Sequence, residues 1–322
     1  MQSEVVSSTQ MPVWAWLVFG AIILVLLILD LKVFHRKSSV ITIKHSLLWT
    51  AFWVALALIF NLGIWLWKRD TGMSLNFLTC YLIEESLSVD NLFVFLLVFS
   101  FFAVPAAYQH KVLFWGIVGA IVLRLAFIEA GATLLNHFEW VFYIFGALLI
   151  YAAFRMAFQK EKEIKPERNP VIRVFRKFFG TTENYEGDRF FIKRFGKYVA
   201  TPLFIVVIVI ETTDLVFAMD SIPAAFSITT DKFIVYTANI FAILGLRSLY
   251  FALAGVMPLF HYLKYGLVIV LAFVGIKMIL GQQNLEIPTG IALVVVVVVL
   301  VVAVIASILR NRRNKAADGT AE

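Results

Sequence analysis

A chain of 322 residues that is 61% hydrophobic and 15% charged, with mean hydropathy +0.88, is too apolar for a water-soluble domain. Its single cysteine, Cys80, excludes an internal disulfide and any multi-cysteine metal or redox centre. The formal net charge of +7 raises the question of a nucleic-acid partner, and the placement of that charge answers it. Nine apolar runs of about 20 residues, the length that spans a bilayer, follow one another. They cover approximately 12–34, 46–67, 75–102, 112–134, 138–158, 199–226, 233–257, 262–281 and 287–309. The first, Met11 to Phe34, is too long for the core of a signal peptide and has no basic segment before it, so it reads as a retained span.

The expected fold is therefore an all-α polytopic membrane protein of about nine transmembrane helices. An N-terminal two-helix segment (1–74) precedes a three-helix unit (75–158). A basic linker (159–198) leads to a second three-helix unit (199–281), then to a last helix and basic tail (282–322). That last helix is nearly pure Val, Ile and Ala from Ile291 to Ile308 and is expected at the bundle periphery.

With the N-terminus outside, the cytoplasmic segments hold 21 Lys and Arg residues, against three (Lys68, Arg69 and Lys232) outside. The linker supplies eleven of these basic residues and six acidic ones. This is the positive-inside pattern, with the N-terminus outside and the C-terminus in the cytoplasm of a bacterial inner membrane. Topology accounts for the charge, and no nucleic-acid partner is expected. Within the linker, Asn169-Pro170 and Gly180 bracket a stretch where Val171, Val174, Phe175, Phe178 and Phe179 could share a face. An amphipathic helix on the inner leaflet and a solvated tether are both open there.

Two acidic stretches sit inside the apolar runs: Glu84-Glu85-Ser86-Leu87-Ser88-Val89-Asp90-Asn91 and Glu211-Thr212-Thr213-Asp214-Leu215-Val216-Phe217-Ala218-Met219-Asp220-Ser221. Their six carboxyls would cost on the order of 15 kcal/mol if lipid saw them all. They must face one another, a cavity or a cation. At a helical step of about 100° per residue, Glu84, Ser88 and Asn91 share a face, with Asp90 well round from it. Glu211, Asp214, Ala218 and Ser221 share a face, with Asp220 on another. Pro223 cannot donate to the Met219 carbonyl, which is thereby freed beside Asp220.

The stretches also mark an internal repeat. Glu84-x5-Asp90-Asn91 matches Asp214-x5-Asp220-Ser221. In each following span an arginine comes after a glycine-containing run, Gly119 to Arg124 and Gly245 to Arg247. In each third span a basic-Met pair closes the run, Arg155-Met156 and Lys277-Met278. Three spans is an odd number and the linker does not cross, so the two three-helix repeats are expected to be inverted, a recurring transporter plan.

Carboxylates, an amide, hydroxyls and freed carbonyls are hard oxygen ligands suited to Mn²⁺, Mg²⁺ or Ca²⁺. The candidate metal residues are Glu84, Asp90, Asn91, Asp214, Asp220 and Ser221. Glu85, Ser88, Glu211, Arg124 and Arg247 are candidate supporting or proton-coupling residues. The five histidines fall in loops or at span ends, and Cys80 reads as a small apolar residue or a soft auxiliary ligand. The competing reading is ion pairing, in which Arg124 and Arg247 neutralise some of the acids, with Glu129 close to Arg124. Seven mid-span acids against two arginines leave a remainder for protons or a cation. Arg155 and Lys277 are expected to snorkel to the membrane faces.

The stretches Tyr81 to Asn91, Glu211 to Ala224, Asn239 to Arg247 and Leu263 to Gly266 resemble the TerC family of integral membrane proteins, and its alkaline-inducible Alx branch in particular. The chain departs from the family pattern at Glu85 and Thr212-Thr213. The resemblance implies Mn²⁺ export or manganese homeostasis, kinship with lysine-exporter-like transporters, and a link to tellurite resistance. The expected function is thus an inner-membrane divalent metal cation transporter, exporting Mn²⁺ in exchange for protons. Clustered buried carboxyls can hold protons when empty and release them to a cation. The expected partners are the lipid bilayer and divalent cations, with Mn²⁺ as the bound ion and no organic cofactor. No enzyme is expected, because the chain has no GxGxxG, CxxC, haem-attachment or Ser-His-Asp pattern. The alternative is a non-transporting membrane stress-response protein, concerned with tellurite or redox balance.

Overall fold

The computed structural model describes residues 11–34, 43–138, 140–158, 182, 184–194, 197–253, 262–283, 285 and 287–318. A helix lies on each of the nine apolar runs. These are α1 (Val13–Phe34), α2 (Ile43–Lys68), α3 (Thr71–Phe101), α4 (Ala106–His137) and α5 (Val141–Phe158). After the linker come α6 (Pro202–Phe226), α7 (Lys232–Leu253), α8 (Leu263–Gly281) and α9 (Thr289–Asp318). Seven of them, α2 and α4 to α9, are long and apolar enough to cross a membrane. α1 adds a shorter apolar stretch, Val13–Leu29. α3 is 31 residues long and carries Glu84, Glu85 and Asp90 at its middle. The chain is a helical, multi-pass membrane protein. Large apolar side chains such as Leu17, Ile59, Val122 and Val302 point out of the bundle, as a lipid-facing rim requires.

Helix starts are fixed locally. Asp70 caps α3, accepting from the Gly72 and Met73 amides at 2.8 and 3.2 Å. Asp231 caps α7, accepting from Phe233 N at 2.8 Å. Pro202, which has no amide hydrogen to leave unpaired, begins α6.

The first helix of each three-helix unit packs on the second helix of the other: α3 on α7, and α6 on α4. Like helices also meet, α3 with α6, α4 with α7, and α5 with α8. Phe77 meets Phe241 and Phe99 meets Tyr250, so α3 and α7 run parallel. Gly116 faces Ile210 and Gly131 faces Phe226, so α4 and α6 also run parallel. Cys80 Sγ lies 3.7 Å from the Ala225 carbonyl while Glu84 and Ser221 both reach Arg124, so α3 and α6 are antiparallel. α5 and α8 cross at Gly146 and Gly275. A Cβ built on Gly146 would lie 2.9 Å from the Gly275 carbonyl, and one on Gly275 2.8 Å from the Gly146 carbonyl. α9 packs on α8 and α3, with much of its valine run turned outward, as expected of a peripheral helix.

The linker differs from the all-α expectation. Its end forms an antiparallel hairpin, β1 (Phe191–Arg194) with β2 (Lys197–Ala200), registering Phe191 with Ala200 and Arg194 with Lys197. These short segments, with Ile, Val, Phe and Tyr among them, favour a pleated surface. Phe190 and Phe191 pack on Phe204 at the start of α6. Tyr185 Oη donates to the Phe102 carbonyl at 2.7 Å. Lys111 Nζ donates to Asp188 Oδ2 at 3.0 Å, and this bond holds the Asp188 carboxyl below its usual range. The candidate amphipathic stretch 171–179 lies outside the described residues.

Lys277 is held by the end of a neighbouring helix. It is buried, and donates to the Ser227 carbonyl at 2.7 Å. Carbonyls at a helix C-terminus lack intrahelical partners, and this one, at the end of α6, provides an acceptor.

Candidate functional site

Arg124 is the centre of the buried polar network. It is 1% exposed and reaches from α4 to both acidic stretches. Its Nη2 and Nε donate to Asp214 Oδ1 and Oδ2 at 3.1 and 3.2 Å, a bidentate fork. Its Nη1 donates to Glu84 Oε2 at 2.9 Å and to Ser221 Oγ at 3.4 Å. Glu84, Asp214 and Ser221 are themselves buried. The ion-pairing reading is therefore realised between Arg124 and both Glu84 and Asp214. Glu129 pairs instead with Lys232 at the exposed edge of the bundle.

One cation against two carboxyls leaves part of the network open. Beside Arg124 lies a small cavity, lined by Glu84, Ser88 and Asn91 of α3 and by Asp220 and Ser221 of α6. Leu87, Met156, Phe217 and Leu271 close it. The centre of a water-sized sphere can move through about 20 Å³ there, room for one water or one cation. Glu84 Oε1 and Ser88 Oγ are buried without a hydrogen-bond partner among the described residues. Buried polar atoms are rarely left so, because each unmet one costs about 1–3 kcal/mol.

The helical-face reading is followed on α3, where Glu84, Ser88 and Asn91 line the cavity together. On α6 it is followed for Asp214, Ala218 and Ser221, which are all buried. Asp220, which a regular wheel turns away, reaches the same cavity as Ser221 in the turn before Pro223. Arg155 lies within electrostatic reach of Asp220. The side chain of Asp90 lies outside the described residues. Met156 is marked in the sequence only as half of the repeated Arg155-Met156 pair, and Phe217 and Leu271 have no signal there, being apolar residues in apolar helices.

Glu85 and Glu211 stand apart from this cavity. Each places its carboxyl against a glycine of the opposite unit. Glu85 lies 3.7 Å from where a Cβ would sit on Gly245, and Glu211 lies so close to the equivalent point on Gly119 that a Cβ there would collide with it. Both Glu211 oxygens are buried without a partner among the described residues.

A second, mainly apolar cavity follows along the bundle, lined by Phe95, Leu113, Gly116, Ile117, Ile243 and Arg247 among others. Asp214 lines it too. Arg247 is buried there. Cys80 Sγ points at the Ala225 carbonyl and does not line the first cavity, in keeping with a small packing residue. Among the described residues no three His, Cys, Asp or Glu side chains are gathered at metal-binding spacing. The Arg124 guanidinium occupies the space between Glu84 and Asp214.

Residues 69–315 match the family described as integral membrane protein TerC family. A Myxococcus xanthus protein named "Uncharacterized membrane protein STKORF319" is 46% identical over 306 residues, covering 95% of each chain. Two proteins named "Putative membrane-bound redox modulator Alx" are similar as well. The one from Photorhabdus laumondii is 45% identical over 273 residues, 82% of this chain and 85% of its own. The one from Escherichia coli K12 is 44% identical over 289 residues, 87% of this chain and 90% of its own. No solved structure matches.

Proposed function

The chain belongs to the TerC family of integral membrane proteins, and on that premise we propose that it carries a divalent metal cation, Mn²⁺, across a bacterial inner membrane, with export in exchange for protons. The observation that carries this reading is the small cavity between α3 and α6, where Glu84 Oε1 and Ser88 Oγ are buried without a partner among the described residues, beside Asn91, Asp220 and Ser221. Carboxyl, amide and hydroxyl oxygens form a hard donor set, which suits Mn²⁺ or Mg²⁺ over zinc or copper. Asp90 is included among the ligands on its sequence match to Asp220. No covalent chemistry on the cargo is invoked, and the protein is not read as an enzyme.

The transporter reading includes two inverted repeats. Asp214 follows Glu84 by 130 residues, and Gly275 follows Gly146 by 129. α3 and α6 run antiparallel with their acids around one cavity. α5 and α8 meet at the paired glycines, and each unit's first helix packs on the other's second helix. These features support a pseudo-twofold arrangement with the cation seat between the halves.

A shared seat makes binding depend on both halves. Asp220→Asn removes one carboxyl oxygen from the α6 side while keeping the shape, and is expected to weaken Mn²⁺ binding at least tenfold, or about 1.4 kcal/mol. Calorimetric titration of the purified protein with MnCl₂ checks this. A variant that binds Mn²⁺ like the parent would remove α6 from the site.

The name of the Alx relatives favours a second reading, a membrane protein concerned with redox balance. Within this chain the one thiol is buried at 0% exposure, which leaves that reading without a reactive group of its own.

A further inference from the structure

The cavity proposed above to seat the cation borders Arg124, a fixed cation that already bonds Glu84 of that cavity and Asp214 beyond it. Arg124 satisfies Asp214 through two bonds and Glu84 through one. It also stands between two cavities, lining the first, while its partner Asp214 lines the second. The order along the helices is consistent. On α4 the second cavity is bounded by residues 113–120, and the first by residue 124. On α6 the second is bounded by residues 210 and 214, and the first by 217–221. The Arg124–Asp214 pair is the partition between them.

A vacant acceptor lies close by. Glu211 precedes Asp214 by three residues on α6, one turn and about 4.5 Å along the axis. Both its oxygens are buried and without a partner among the described residues. Its carboxyl lies against Gly119, five residues before Arg124 on α4, where any larger residue would collide with it. Helical side chains lean toward the N-terminus of their own helix, so Arg124 already reaches back toward the level of Gly119. Residues three apart on a helix are neighbours, so Glu211 stands beside the acceptor that Arg124 holds.

We infer that Arg124 is a tethered competitor of the cargo: with no metal bound it holds Glu84 at the edge of the seat, and an arriving divalent cation that takes Glu84 as a ligand displaces it from Glu84 and Asp214 onto Glu211. This rests on the cation-site reading and adds a positioning role for two residues. Arg124 competes with the metal, and Glu211 receives Arg124. The partition between the cavities then opens only when an ion has taken the seat, which opposes a leak through the empty protein. A ligand can shift such an equilibrium only by its differential affinity for the two states, and displacement of Arg124 provides that difference.

The test is a double-mutant cycle on Mn²⁺ affinity, measured by titrating MnCl₂ into the purified full-length protein. Arg124→Gln, which removes the competitor, is expected to bind Mn²⁺ at least tenfold more tightly than the parent. Glu211→Gln, which removes the acceptor, is expected to bind about tenfold more weakly. In the Arg124→Gln background, Glu211→Gln should change the affinity less than twofold, because no guanidinium remains to be received. Where Arg124→Gln does not survive purification, Arg124→Lys carries the same cycle. It keeps the charge but loses the fork, and should bind several-fold tighter than the parent, with a smaller Glu211→Gln effect. An Arg124 variant that binds no tighter, or an equal Glu211→Gln effect in both backgrounds, would overturn the inference while leaving the cation site standing. A parent that binds no Mn²⁺ would overturn both.

Discussion

Without metal, Arg124→Ala is expected to lose about 3–5 kcal/mol of stability, among the largest effects of any single substitution in the chain. The variant leaves Glu84 and Asp214 facing each other in the apolar centre of the bundle, with Asp214 deprived of both its bonds. It also leaves Ser221 Oγ without its donor. Substituting apolar groups for all partners at once can be nearly neutral, but removing one partner strands the others. The cation site adds a second expectation. MnCl₂ should restore much of the lost stability, since a bound divalent ion takes over the charge that Arg124 supplied, whereas the parent should gain less. Thermal unfolding of both proteins in detergent, with and without MnCl₂, checks this. A metal-free variant as stable as the parent would show that the network around Arg124 carries no structural weight.

Gly275→Val is expected to disrupt the crossing of α5 and α8, with a loss of at least about 1–3 kcal/mol from overpacking. Even the first carbon of a side chain at 275 would come within 2.8 Å of the Gly146 carbonyl, within 3.0 Å of Ile150 Cγ1, and within 3.1 Å of Leu149 Cβ. One of those contacts is backbone, which cannot rotate away, so the helices must separate. Close approach through small residues is a principal means by which helices associate where lipid offers no hydrophobic driving force. Gly20 and Gly63, by contrast, have nothing within 4 Å of the point where a Cβ would sit, and should accept alanine without loss. Unfolding midpoints of Gly275→Val and Gly63→Ala, measured side by side, check the contrast. Equal midpoints would contradict a tight α5–α8 crossing.

The helices are legible in the sequence because each apolar run is long and carries its own stop, and composition alone places the chain in a membrane. Glu84, Ser88 and Asn91 are legible as one face because α3 is regular through them. Asp220 is not legible from Asp214 and Ala218, because it reaches the cavity on the neighbouring Phe217, Asp220 and Ser221 face, and which faces of α6 meet the cavity depends on how α6 packs. Arg124 is visible as a mid-span charge, but its choice of Glu84 and Asp214 over the nearby Glu129 depends on how α3, α4 and α6 pack. The roles of Gly119 and Gly245 as rests for Glu211 and Glu85 also belong to packing, because a glycine in an apolar run has many possible reasons. Lys277 shows the same limit. Its bond to the Ser227 carbonyl at the end of α6 depends on how α6 and α8 pack. The hairpin of residues 191–200 is hidden by its length, being too short to stand out against so many apolar runs.

The central claim is that a divalent cation crosses the membrane through the seat between α3 and α6. It is tested most directly by reconstituting the purified protein into liposomes loaded with a Mn²⁺-quenched dye and adding MnCl₂ outside. Quenching should be faster than in protein-free liposomes, and Asp220→Asn, at equal reconstitution, should return the rate toward that baseline. Parent liposomes that quench no faster than protein-free ones would contradict the claim.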